Sequence, residues 1–147
     1  YKIKKLATIK DLNKTSWTHK KVLKGTYYKY TVTAYKVING KKKVLSVSKM
    51  VHAVSKGGKY TNPTGVKVKK KTITLKVSQK KRIKATRKMP KGGKMREHTK
   101  KFRYESSDKS VATINKKGII TAKKKGTCYG FVYAQNGTYA TVKIKVK

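Results

Sequence analysis

The chain has 147 residues and a formal net charge of +38, because 42 lysines and arginines face only four acidic residues. This length allows one domain or two small ones, each with a thin core, since a domain of about 60 residues buries only about 60% of its unfolded surface. The single cysteine excludes an intrachain disulfide, no Cys/His cluster has zinc spacing, and no apolar run reaches the roughly 18 residues of a membrane helix.

The first 25 residues predict short elements. Residues 1–9 mix apolar side chains with lysines, which suits a short edge strand whose charges discourage further pairing. A turn is expected at residues 11–14, and residues 15–18 suit another short strand.

Residues 26–36 alternate between two sets of side chains and predict one long strand. Asn39 and Gly40 follow, a pair that gives the strongest short-range hairpin signal. The chain is expected to return through residues 44–54.

The segment S-W-T-x-x-x-V-L-K-G-T-Y-Y-K-Y-T-V-T-A-Y resembles the region from strand E to strand F of a fibronectin type III domain. The resemblance covers about residues 1–55. It implies that Tyr28 takes the place of the tyrosine corner, in which the hydroxyl bonds to nearby backbone. Strands A, B and most of C have no counterpart before Tyr1. We therefore expect an incomplete sandwich, whose apolar edge is completed by a neighbouring chain or remains mobile.

Residues 55–59, with Asn62 and Pro63, are the only linker-like stretch between two strand-rich regions. The predicted division is a partial fibronectin type III-like domain at residues 1–55, a linker at residues 56–63 and a second domain at residues 64–147. Strands of the second domain are indicated by apolar residues at spacing two: Val66 and Val68; Ile73, Leu75 and Val77; Ile83 and Ala85. Residues 89–94 then form a loop, and Phe102 and Tyr104 lie on the next strand.

Residues 105–134 contain three short strands and the turns between them. The motifs S-S-D-x-S-V-A-T-I and G-I-I-T-A-K-K-K-G-T resemble the bacterial immunoglobulin-like domain, group 2, and the resemblance covers about residues 62–147. It implies an all-β fold, an antiparallel immunoglobulin-like sandwich used as an extracellular spacer or adhesive module, with no enzyme activity. Tyr104 stands where that family often has Trp. Ser78 and Gln79 depart from its usual Gly and acidic residue.

Alignment with the same family puts Cys128 on the inward face, where a buried thiol is chemically inert. Strand alternation then puts Tyr129, Phe131 and Tyr133 outside, as a strip that could contact a ligand or a partner domain. The opposite register, with the aromatics filling the core, is the alternative that pattern alone leaves open.

No catalytic or metal-binding residue is predicted, and no cofactor. The four acids are too few and too scattered for an acid and base pair. The three histidines stand in separate segments among lysines, where a surface position is the ordinary interpretation.

Two classes of function remain. The first is a non-catalytic extracellular module of a bacterial surface or secreted protein, acting as a stalk, spacer or adhesive segment; the sequence has no signal peptide, so a longer precursor is expected. The second is a lysine-rich module that binds polyanions through counterion release. Expected partners are cell-wall polymer, acidic glycans or other extracellular protein domains. Nucleic acid is disfavoured, because no recognition helix, zinc finger or RNA-recognition motif is present.

Overall fold

The computed structural model describes residues 3–147, which fold as an all-β structure with one 3₁₀ turn at Glu97–Thr99. The strands in chain order are β1 Tyr27–Tyr30, β2 Thr33–Ile38, β3 Lys41–Val47, β4 Val51–Val54, β5 Gly65–Val68, β6 Thr72–Leu75, β7 Lys80–Arg82, β8 Ala85–Lys88, β9 Arg103–Ser106, β10 Ala112–Ile114, β11 Ile119–Ala122, β12 Gly126–Tyr133 and β13 Tyr139–Val146.

Strands β5 to β13 form the C-terminal sandwich. One sheet has the order β6-β13-β12-β9, the second has the order β10-β11-β7, and β5 pairs with β8 beside them. All pairings are antiparallel except β6 with β13, which run in the same direction from Thr72 opposite Lys143 to Leu75 opposite Val146.

The core of this sandwich follows from strand alternation. Val142, Ile144 and Val146 of β13 are buried, whereas the lysines between them lie on the other face. Ile120 of β11 and Val132 of β12 complete the centre and are fully buried. Removing each such side chain from water contributes roughly 1.5–3 kcal/mol.

Two turns needed particular backbone conformations. Between β10 and β11, Gly118 has φ +75°, and the side chain of Asn115 accepts backbone hydrogen bonds from Lys117 and Ile119. After β6, Ser78 has φ +69°, an uncommon value for a residue with a side chain. Gln79 supports that turn, because its side-chain oxygen accepts a hydrogen bond from the backbone of Lys76 at 2.8 Å.

The N-terminal part differs from its sequence prediction in three places. Residues 3–9 and 15–18 form no strand, and Tyr1 and Lys2 lie outside the described residues. The predicted long strand 26–36 is two strands: β1 pairs with β4, whereas β2 pairs with β3. The break falls at Val32, whose backbone N–H donates to the side-chain oxygen of Ser48 and whose carbonyl accepts from the Ser48 backbone.

The predicted β2–β3 hairpin is confirmed. Asn39 and Gly40 form its turn with φ values of +49° and +72°, the left-handed conformations that a two-residue hairpin turn requires. This hairpin is exposed on both faces, including Val37, Val44 and Leu45.

The N-terminal strands bury little surface. Among residues 3–62, Val54 is the only buried residue. The accessible surface of the chain is 11398 Å², against about 7,600 Å² for a compact protein of this mass. Two separate two-stranded sheets stand here without a common core. The resemblance of residues 1–55 to a partial fibronectin type III domain stays a prediction.

Candidate functional site

The outer face of β12 carries the aromatic strip, Tyr129, Phe131 and Tyr133. The alternate residues point into the core, since Cys128 is 2% exposed and Val132 is fully buried, whereas Tyr129 is 44% exposed. This is the register that the sequence predicted, and the alternative register is excluded. Whether the strip binds a ligand stays a prediction.

A fourth ring joins the strip from β13. Tyr139 pairs with Tyr133 across the sheet, and their ring centroids are 5.3 Å apart. Phe131 lies 6.1 Å from both Tyr133 and Tyr139. Sequence reasoning missed Tyr139, although the Asn136–Gly137 turn signal fixes its place opposite Tyr133 once the hairpin register is drawn.

One edge of the strip is covered by the segment between β3 and β4. The guanidinium of Arg103 lies 6.0 Å from the Tyr133 ring and donates a hydrogen bond to the Met50 carbonyl at 2.7 Å. Beside it, the Lys49 ammonium and the Glu105 carboxylate form an ion pair at 2.5 Å. Partial burial, reinforced by Glu105, raises the pKa of the Tyr133 hydroxyl, and Arg103 opposes this. The N-terminal part thus contacts the sandwich at one end of the strip.

Tyr28, Tyr104 and Cys128, the three residues predicted to be structural, lie in different parts of the fold. The Tyr28 hydroxyl accepts a hydrogen bond from the Leu23 backbone at 2.8 Å, the kind of contact that a tyrosine corner implies. Tyr104 is half-buried against the core, and this burial raises its pKa, with Arg82 and Arg87 opposing. Cys128 is buried in the core.

A junction of hydrogen bonds ties β4 to the sandwich. The His52 backbone donates to the carbonyl of Gln135 in the β12–β13 turn at 2.8 Å. Asn62 bonds twice to the backbone of Val54, accepting at 2.9 Å and donating at 2.7 Å. Asn136, in the same turn, donates to the Pro63 carbonyl at 2.9 Å. The chain before and after residues 55–61 is therefore held at the β12–β13 turn.

Two histidines that are separate in sequence meet at this junction. The rings of His52 on β4 and His98 in the 3₁₀ turn have centroids 5.1 Å apart, and Tyr27 lies within 5.7 Å of both. Burial lowers the pKa of His52, and the nearby His98 and Lys29 lower it further. The predicted surface position holds for His98, which is exposed, whereas His52 is half-buried. That the two rings meet was not predicted, because pairing of β1 with β4 and docking of the 3₁₀ turn are tertiary events.

Glu97, Glu105 and Asp108 each contact another residue of the chain. Glu97 pairs with Lys100 at 2.6 Å, Glu105 pairs with Lys49, and the Asp108 carboxylate accepts two hydrogen bonds from Ser110. Residues 3–147 contain no group of three potential metal ligands. Within the same residues, no helix has the length and apolar character needed to cross a membrane.

Comparison with known proteins gives a family match and similarity to solved structures of S-layer proteins. The family model of the bacterial Ig-like domain, group 2, matches residues 63–146. The crystal structure of the S-layer protein SbsC domains 4 and 5 is similar over 82% of this chain and 75% of that chain, at 16% identity and a TM-score of 0.49. The structure of surface layer protein SbsC domains 1–6 is similar over 82% of this chain and 20% of that chain, at 17% identity and a TM-score of 0.48. A search of curated proteins finds no match.

Proposed function

Because the chain belongs to the bacterial Ig-like domain family, group 2, we propose that it is a non-catalytic spacer module of a bacterial surface or secreted protein. In this proposal the family domain occupies residues 64–147, residues 56–63 are a linker, and residues 1–55 are a partial fibronectin type III-like domain. The module acts by holding neighbouring parts of the parent protein apart outside the cell.

The path of the chain through the sandwich is the observation that carries this proposal. The chain enters at Pro63, which is bonded to Asn136 beside the start of β13. Strand β13, the last of the domain, then carries the chain from Tyr139 to Val146, seven residues further on, a rise of about 23 Å. Entry and exit lie at opposite ends of the domain, which suits modules joined in series.

The pairing of β6 with β13 suits a module under tension. These strands run in the same direction, so pulling the start of β6 away from the end of β13 slides one strand along the other. Sliding loads all four residue pairs together, whereas opening a hairpin from its end loads one pair at a time. The junction also fixes β4 to the sandwich across the linker, because Val54 is hydrogen-bonded to Asn62 and His52 is hydrogen-bonded to Gln135.

Single-molecule pulling tests the spacer proposal on one protein in two directions. In a Cys128→Ala background, handles are attached through Lys70→Cys, between β5 and β6, and Lys147→Cys, after β13, to load β6 against β13. A matched pair, Lys125→Cys and Lys147→Cys, opens β12 from β13 at the end where Gly126 pairs with Val146. The first geometry should need a several-fold higher force. Equal forces in the two geometries would count against a load-bearing role.

The extracellular location of the protein is tested by a separate experiment. Antibodies raised against the purified chain should label intact cells of the source bacterium without permeabilisation. Labelling that requires broken cells would overturn the extracellular assignment.

An adhesive role within the same module is supported by the aromatic strip. Tyr129 is 44% exposed and Tyr139 is 57% exposed, and aromatic faces of this kind stack against sugar rings or partner domains. Binding of glycans by the chain, lost on replacement of the strip, would support adhesion in addition to spacing.

A further inference from the structure

An open groove of about 640 Å³ lies on the sandwich where the chain passes from β7 to β8. Its floor is formed by buried Ile83 and by Ala85, and the half-buried Tyr104 ring lines it as well. Its remaining lining is Thr86 and five exposed cationic side chains, Lys67, Lys69, Arg82, Lys84 and Lys117.

Three chain segments bring these cations together. Lys67 and Lys69 come from β5 and the residue after it, and the Lys69 backbone bonds to the carbonyl of Lys84 at 2.9 Å. Arg82 ends β7, which pairs with β11, while β8 pairs with β5. The chain therefore changes sheets between Arg82 and Ala85, and this bend opens the groove.

The sequence showed the lysines of the groove but not that they converge on one surface. Alternation in residues 66–69 places lysines on a solvent face, but which faces converge depends on the sheet order.

The groove carries concentrated and uncompensated positive charge. None of the four acidic residues of the chain lines it. Across residues 3–147, the ion pairs Lys49–Glu105 and Lys100–Glu97 involve none of its cations. Lys67 and Lys69, at the end of β5, form one row and stand two residues apart, about 7 Å along the chain. Arg82 and Lys84 form a second row, two residues apart where the chain leaves β7. Repulsion among five such groups is relieved when an anionic chain replaces their counterions.

We propose that this groove binds a linear anionic glycopolymer, one that carries a phosphate, sulfate or carboxylate group on each repeat. The cations of the two rows contact successive anionic groups, and the apolar floor accepts the less polar faces of the repeats. A spacer without such a groove would still separate its neighbours, so the proposal is independent of the spacer role.

The aromatic lining favours a glycopolymer over a nucleic acid. Single-stranded nucleic acids are held by aromatic faces on which bases stack. Tyr104 is the only aromatic residue of the groove, and its ring packs against Gly118 so closely that a Cβ there would lie 2.6 Å from the ring. One side of that ring is thus covered by backbone.

The test compares two variants of equal net charge. The groove variant combines Lys67→Gln, Lys69→Gln, Arg82→Gln and Lys84→Gln, which lowers the net charge from +38 to +34. The control removes the same charge from the exposed β2–β3 hairpin, through Lys36→Gln, Lys41→Gln, Lys42→Gln and Lys43→Gln. Binding of a fluorescent heparin octasaccharide is measured by anisotropy from low salt to about 0.15 M salt.

The groove variant should bind at least about tenfold more weakly than the control, and its slope of log affinity against log salt should fall by about 3, at roughly 0.7–0.9 per lost contact. Equal losses in the two variants would overturn the proposal, because the binding would then follow net charge alone. If the groove variant fails to fold, chemical shifts of the native protein decide. Perturbations confined to residues 67–69, 82–86 and 117 support the groove, and perturbations spread over all lysine-rich strands refute it.

Two further probes identify the source of the anionic groups. Inorganic polyphosphate that binds the groove as tightly as heparin indicates that phosphate suffices, and supports a phosphate-bearing polymer. Polyphosphate that binds more weakly supports a charged sugar. An oligothymidylate that binds the groove more tightly than both would overturn the assignment to a glycopolymer.

Discussion

Gly118→Ala is expected to destabilise the protein more than Gly92→Ala, although both glycines have nearly the same backbone conformation. Their φ values are +75° and +69°, so an added Cβ carries the same left-handed penalty of about 1–2 kcal/mol at either site. At Gly92 nothing lies within 4 Å of the added atom, whereas at Gly118 it would lie 2.6 Å from Cζ of Tyr104.

The second contribution at Gly118 is steric. Forcing an extra carbon against a packed ring costs about 1–3 kcal/mol, which gives a total of about 2–5 kcal/mol for Gly118→Ala. Gly92→Ala should lower the free energy of unfolding by about 1–2 kcal/mol. Urea unfolding followed by far-ultraviolet circular dichroism measures both variants.

Tyr104→Leu isolates the contact, because leucine lacks Cε1, Cζ and the hydroxyl, the three atoms that approach Gly118 most closely. In that background the loss of unfolding free energy caused by Gly118→Ala should fall to that caused by Gly92→Ala. The coupling energy between positions 104 and 118 is then about 1–3 kcal/mol. Equal costs for the two glycine variants in the native background, or no change on Tyr104→Leu, would refute the packing of Tyr104 on Gly118.

Four further predictions concern the strip, the thiol, the junction and the hairpin. Replacing all three residues of the aromatic strip by threonine should leave the protein folded in urea titrations. A loss of roughly 3–5 kcal/mol in the free energy of unfolding for each ring would mean that the rings fill the core. Cys128 should react with a thiol reagent far more slowly in the native protein than in urea, and prompt native labelling would contradict its burial. Because burial lowers the pKa of His52 from 6.5, the unfolded chain binds more protons than the native protein below pH 6.5, so thermal stability should fall as the pH drops below 6.5. His52→Gln should flatten this dependence, and equal stability of the native protein above and below pH 6.5 would be inconsistent with it. Amide exchange should be faster in residues 33–47 than in residues 126–146, since an isolated two-stranded hairpin is marginally stable; equal protection in a monomer would show that another part of the chain stabilises the hairpin.

The sequence by itself determined most of the C-terminal sandwich. Its strands have apolar residues at spacing two, and its turns contain Asn and Gly, so period and turn chemistry agree along residues 65–146. The inward positions of Cys128 and Val132, and with them the outward strip, followed from alternation once the family register was assumed.

Prediction was poorer for the N-terminal part, for a physical reason. Alternation in residues 26–36 indicates extended backbone but does not show which strand each half pairs with. The half before Val32 pairs with β4 and the half after it pairs with β3. Residues 3–9 have a strand-like composition, yet a strand forms only where a partner supplies hydrogen bonds.

The candidate sites show the same division. Lysines on solvent faces, single histidines and a tyrosine after a hairpin turn are all visible in the sequence. Only the tertiary structure decided that five cations converge on one groove, that His52 meets His98, and that Arg103 joins the strip to Met50. These groups are far apart along the chain, and the order of strands in the sheets, which local periodicity does not encode, sets the distances between them.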